Sequence, residues 1–143
     1  MEIERKFLVV QPPADLAKYP NSEIRQGYIS RDPVIRIRKR DDRYTLTVKG
    51  HGLMEREELE LPLDAAAFAH LEAKCEGTVI EKTRYLIPLG THTVELDLFH
   101  SGRPGLLMAE VEFESPKAAA AFRPPAWFGR EVTEDPAYQN ANM

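Results

Sequence analysis

Six basic residues recur at alternate positions of extended-looking segments: Lys6 in EIERKF, Arg36 and Arg38 in VIRIRKR, Lys49 in YTLTVKG, and Lys82 and Arg84 in EKTRY. Guanidinium forks and ammonium point charges are the side chains that bind phosphate oxygens, and six of them match a ligand with several phosphates. A second set has the same spacing and the opposite sign: Glu2, Glu4, Glu58, Glu60, Glu95, Asp97, Glu110 and Glu112, with Glu114 at a strand margin. Carboxylates do not bind phosphate directly. They hold hard divalent cations such as Mg2+ or Mn2+, which bridge to it. Both sets in one cavity point to metal-assisted phosphoryl transfer on a polyphosphate.

The elements that carry these residues are mostly strands. Eight segments show strand patterning: 2–10, 22–30, 34–40, 44–50, 53–63, 78–89, 91–99 and 106–115. The Asp-Asp-Arg at 41–43 predicts a hairpin turn. The clearest helix is 64–75, with Asp64 as N-cap and Phe68, Leu71 and Cys75 at helical spacing. A helical turn is expected within 14–19, a short helix over 116–122 with Pro116 at its first position, and a last helix in the tail capped by Asp135. No linker divides the chain, so residues 1–143 are expected to form one domain.

In seven of the eight strands the polar face is ionised rather than merely polar, and each strand carries mainly one sign. Like charges lie about 7 Å apart along such a face, which is unfavourable unless opposite charge lies between them. Any one such strand reads as an ordinary wet face. Taken together they read differently. If the charged faces met bulk solvent, the apolar faces would fill the inside of a closed sheet and the helix at 64–75 would have no surface to cover. Turned inward, the charges line a lumen and the helices cover the apolar outside. An eight-stranded antiparallel closed barrel, mainly β with a few short helices (α+β), has room for one small ligand. Strand 22–30 is ambiguous: either Gln26 and Tyr28 or Glu23 and Arg25 face inward. Arg5 falls on the apolar side of the first strand and is assigned no role.

The 143 residues carry a net charge of −4, which argues against bulk attraction to nucleic acid or anionic lipid. Cys75 is the only cysteine, so no internal disulfide or thiolate cluster is expected. The chain shows no signal-peptide layout and no membrane-length apolar run, and a cytoplasmic address is expected. VKGHG at 48–52 lacks P-loop spacing. His51, His70, His92 and His100 are scattered, and Trp127 with Phe128 is expected to anchor the C-terminal connector.

EIERKF carries an ExExK pattern that resembles the signature of the CYTH superfamily, the triphosphate tunnel metalloenzymes. The resemblance continues in order through QGYIS, VIRIRKR, LTVKG, REELEL, EKTRY, VELDLF, AEVEFES and WFGREVTEDPAYQNANM, and is greatest to the short bacterial members. It implies an eight-stranded tunnel open at its ends and divalent-metal-dependent hydrolysis or cyclisation of triphosphates. By position, Glu2, Glu4, Glu110 and Glu112 resemble metal ligands. Lys6, Arg36, Arg38, Lys49 and Arg84 resemble phosphate contacts. Lys82, also in the phosphate-binding set, resembles a lysine that assists the attacking water. Glu58, Glu60, Glu95 and Asp97 resemble catalytic acids that bind a second metal or brace the basic residues. The expected activity is hydrolysis of inorganic tripolyphosphate with Mg2+ or Mn2+ at a two-metal site. Thiamine triphosphatase, adenylyl cyclase or general nucleoside triphosphatase activity on the same scaffold are alternatives, as is a non-catalytic polyphosphate- or nucleotide-binding module. The partner expected is a small-molecule triphosphate, with the protein a monomer or homodimer.

Overall fold

A computed structural model describes residues 2–50 and 55–143. His51 and the first two residues of the strand expected at 53–63 lie outside them. The strands are β1 (Glu2–Leu8), β2 (Asn21–Arg31), β3 (Val34–Arg40), β4 (Arg43–Lys49), β5 (Glu55–Arg56), β6 (Glu58–Leu63), β7 (Glu76–Leu89), β8 (His92–Phe99) and β9 (Leu107–Glu112). They form one antiparallel ladder in the order β5-β1-β9-β8-β7-β2-β3-β4-β6. The strand expected over 53–63 is thus split at Glu57. Its first part pairs with β1 and its second with β4, so a single residue joins the two ends of the ladder and the sheet curls into a barrel. Among the described residues the closing seam consists of Glu2 opposite Arg56 and Ile3 opposite Glu55.

The apolar faces point outward and are covered in part, Leu59 and Leu61 of β6 staying exposed. Ile3, Ile87, Val94, Leu96, Val111 and Phe113 form a buried cluster against which Trp127 and Phe128 pack. Phe128 lies 4.8 Å from the Phe7 ring, so the connector is anchored as its aromatics imply. The helix α1 (Ala65–Glu72) covers another part of the outside, with Phe68 buried and 5.2 Å from the Tyr44 ring. Asp64 caps it by accepting from the Ala67 amide at 2.7 Å. The helix α2 (Pro116–Ala121) starts at Pro116, with Ser115 as its cap.

The tail departs from expectation. In place of a last helix it forms two 3-10 turns, Pro136–Tyr138 and Asn140–Asn142. Before them, residues 129–133 run along β1: the Gly129 amide donates to Leu8 O, Leu8 to Arg130 O, and Val132 to Lys6 O. The approach is so close that a Cβ on Gly129 would sit 2.9 Å from Leu8 O. Arg5 fastens this segment from outside. Its Nε and Nη2 donate to Glu131 at 2.9 and 2.6 Å, and its Nη1 to the carbonyls of Ala119 and Phe122. The residue that sequence patterning left without a role is therefore a clamp.

The tunnel is also closed at one end. Following the inward positions one step past the charges gives Leu8 on β1, Ile80 on β7, Phe99 on β8 and Met108 on β9. These pack with Val132, Tyr138 and Met143 into an apolar plug. The expectation of a passage open at both ends is corrected to a cup. The physical reason is that a lumen charged along its whole length would bury more ions than it could pair, and apolar packing fills the far end instead.

Candidate active site

The open half of the barrel is a cavity of about 420 Å³. Strand register divides it by charge. On one side Glu4 faces Glu112 across β1 and β9, and Glu110 faces Glu95 across β9 and β8. On the other side β3 presents Arg36, Arg38 and Arg40, with Lys49 from β4 and Arg84 from β7. Lys6 lies on the acidic strand β1, 3.6 Å from Glu4. Glu58 and Glu60 line the cavity from β6. Strand β2 resolves its ambiguity by turning Tyr28 to the cavity and burying Gln26 behind Arg38, while Arg25 pairs outside with Glu72 and Glu81.

The carboxylates fall into two electrostatic states. Burial and the neighbouring Glu110 push Glu4 up to about 7, against the pull of Lys6. Burial, Glu95 and Glu2 also raise Glu112. Burial disfavours the charge on Glu2 as well, but Lys49, a hydrogen bond with Glu58, and Arg56 outweigh it and hold Glu2 at about 2. Lys49 Nζ lies 2.9 Å and Arg56 Nε 3.3 Å from Glu2 Oε1. Arg56, which the sequence patterning did not single out, also lines the cavity. The signal for it was the oppositely charged Glu2, which needed a counter-ion on the adjoining strand.

Among the cations, burial lowers Arg38 to about 9, with the adjacent Arg36 and Arg84 adding to the effect. Arg84 keeps its charge firmly, because Asp97 and Glu95 outweigh its burial. Its Nε and Nη2 donate to the two oxygens of Asp97 at 2.7 and 2.9 Å. Lys82 Nζ is 2.6 Å from Asp97 Oδ2, and neither side chain has any exposure. Burial pushes Lys82 down to about 8 in spite of Asp97. Lys82 and Asp97 thus sit beneath the cavity floor rather than on its surface. The other ionised residues singled out from the sequence, Glu114 excepted, line the cavity itself.

The acidic side suits a divalent cation by its chemistry. Glutamates opposed in register repel one another, and hard oxygen donors without enough positive charge between them attract a hard ion. No preassembled cluster of three such ligands occurs among the described residues. The arrangement therefore fits an ion held by one or two carboxylates, retained waters and phosphate oxygens, the usual manner for Mg2+ at a phosphate site.

A CYTH domain model matches residues 1–135. The chain belongs to the CYTH family. Two members named inorganic triphosphatase are each 43% identical to it. The one from Nitrosomonas europaea aligns over 97% of this chain and 93% of its own, and the one from Acetivibrio thermocellus over 99% and 92%. The crystal structure of the inorganic triphosphatase NE1496 superposes with a TM-score of 0.72 at 40% identity, covering 99% of this chain and 93% of that one. The PH1012 protein from Pyrococcus horikoshii OT3 shares the fold, with a TM-score of 0.60 at 23% identity over 82% of each chain. The barrel, its charged interior and the outer helices are thus those of a CYTH protein. The family carries divalent-metal dependence with it.

Proposed function

We propose that this CYTH protein hydrolyses inorganic tripolyphosphate to pyrophosphate and phosphate with a divalent cation, Mg2+ or Mn2+. The observation that carries the reading is the cavity's division into a cationic wall and a carboxylate wall, in a chain 43% identical to two inorganic triphosphatases. Arg36, Arg38, Lys49 and Arg84 bind the phosphate chain, and Lys6 neutralises it from the acidic side. Glu4, Glu110 and Glu112 supply the carboxylates for metal, one or two to an ion, with Glu95 completing the acidic side for a second ion. Glu2, already paired with Lys49 and Arg56, sets the position of those cations.

A bound divalent ion supplies Lewis-acid neutralisation of the phosphate oxygens and lowers the pKa of water. The chain's own residues do the rest. Water attacks the terminal phosphorus, the bridging P–O bond breaks, and pyrophosphate leaves held by the arginines. A cavity carboxylate, Glu58 or Glu95, takes the proton. Glu58 is raised by burial and by Glu2, which suits it to accept one. Lys82, sealed under the floor against Asp97, braces Arg84 through that shared carboxylate. Fixed charge placement of this kind supplies most of the catalysis in phosphoryl transfer.

The lining favours the inorganic substrate over a nucleotide or thiamine ester. Tyr28 is the only aromatic side chain among the described cavity residues, which leaves little to stack on a base. Phosphate, pyrophosphate and cyclic AMP release should be measured from tripolyphosphate, thiamine triphosphate and ATP, each with Mg2+ or Mn2+. Turnover should be fastest on tripolyphosphate. Binding without turnover would make the protein a polyphosphate-binding module, and faster turnover of an ester would move the substrate class.

A further inference from the structure

Two arginines of the cationic wall are held in different ways. Arg84 gives Nε and Nη2 to Asp97 and Nη1 to Glu95, so its charge is compensated and its donors are engaged. Arg38 gives only Nε, at 2.8 Å, to the side-chain carbonyl of Gln26. Its Nη groups take no protein acceptor among the described residues, and the side chain lines the cavity. Gln26 stands directly opposite Arg38 in the β2–β3 register and is fully buried.

A neutral amide is an unusual residue to bury in this place. It fixes one edge of a rigid guanidinium fork without cancelling the charge, whereas a carboxylate would do both. The orientation of the amide is also determined, because Arg38 Nε can only donate and so must meet Oε1. That leaves Gln26 Nε2 as a buried donor without a partner among the described residues. Arg36 Nε, on the same wall, is the other such donor. Buried donors left unpaired are costly, and two of them beside a cationic wall call for an acceptor that arrives with the ligand or with its water.

We propose that Gln26 is a positioning residue for substrate binding: its carbonyl holds the Nε edge of Arg38 so that the fully charged Nη edge faces the phosphate chain. This rests on the triphosphate reading and adds to it the device that keeps one arginine oriented, with its charge uncompensated and its Nη donors unspent.

The test compares Gln26→Glu and Gln26→Met in the full chain. Q26E keeps an acceptor for Arg38 but neutralises it in the manner of Arg84. KM for tripolyphosphate should rise about tenfold with kcat little changed, the pattern of lost uniform binding, and thermal stability should be kept or gained. Q26M keeps the volume and loses the acceptor, and should raise KM several-fold. Both effects should vanish in an Arg38→Ala background, since Gln26 acts through Arg38. Calorimetric binding of tripolyphosphate in the presence of EDTA reads the same site without turnover. Q26E binding as tightly as wild type, or an unchanged Q26E penalty in the Arg38→Ala background, overturns the inference. A purely structural role would move the melting temperature of Q26M and leave KM of Q26E alone. Wild-type protein that binds tripolyphosphate but does not cleave it with metal overturns the triphosphatase reading alone, and failure to bind it at all overturns both.

Discussion

Asp97 is shared: one carboxylate accepts Arg84 on both oxygens and also lies 2.6 Å from Lys82 Nζ, with Lys82 and Asp97 wholly out of contact with solvent. One anion therefore compensates two buried cations. Removing it strands Lys82 and leaves Arg84 only its Nη1 contact with Glu95, and stranding a buried charge is among the most destabilising of single changes. Asp97→Asn should cost about 3–5 kcal/mol in chemical denaturation. Lys82→Met should cost clearly less, because Asp97 keeps its bidentate partner. Equal losses would mean that the three groups do not act as one network.

Glu4 should behave in the opposite sense. Its folded pKa of about 7 stands above the ordinary carboxylate value, so the folded state binds the proton more tightly than the unfolded chain does. Without metal, stability should then fall as pH rises from about 4.5 to 7, by on the order of 1–3 kcal/mol, and stay low above that. Glu4→Gln should flatten this slope and raise the metal-free melting temperature at pH 8 while abolishing metal-dependent hydrolysis. Melting curves across pH for both proteins check the sign.

Metal binding follows from the same titration. A divalent ion needs the ionised carboxylate, so its apparent affinity should strengthen through pH 7. The thermal shift on adding Mg2+ or Mn2+ should accordingly be larger at pH 8 than at pH 6. No such difference is expected in Glu4→Gln.

Arg38→Ala removes a cation whose Nη groups face the cavity. Charge-assisted hydrogen bonds of this kind contribute about 1.5–3 kcal/mol, so KM for tripolyphosphate should rise by roughly tenfold to a hundredfold. The effect on kcat should be smaller. Steady-state kinetics with saturating metal separates the two.

Arg5→Ala tests the clamp. The lost contacts are a bidentate pair with Glu131 and two carbonyl bonds that fasten the end of α2 and the segment after it. Stability should fall by about 1–2 kcal/mol, moderated by partial exposure of the pair. Limited proteolysis should shift toward the residues after Ser115. Activity should drop with tail docking, because Gln139 reaches from the tail to accept from Lys6 Nζ at 3.1 Å.

The alternating ionised positions of β1, β3, β4, β6, β7, β8 and β9 were readable from the chain. Alternation is a covalent consequence of the pleat and needs no tertiary information. For the same reason the sequence could say which face a residue takes but not how deep it lies. Lys82 and Arg84 look equivalent in EKTRY, yet one is sealed under the floor and the other meets the cavity. The depth depends on where Phe99, Met108 and Ile80 close the barrel. That end could have been anticipated from the apolar residues that flank each charged run, Leu8 after Lys6 being the plainest.

By itself, then, the sequence determined the barrel class, the inward charges and the family to which they belong, because each is encoded by local pattern. Only the tertiary structure decided that the passage is a cup, that Arg5 clamps the tail, that Arg56 shares Glu2 with Lys49, and that Gln26 rather than Glu23 or Arg25 stands behind the arginines. All four are contacts between strands or segments far apart in the chain, and they are set by register and by the packing of one end of the barrel.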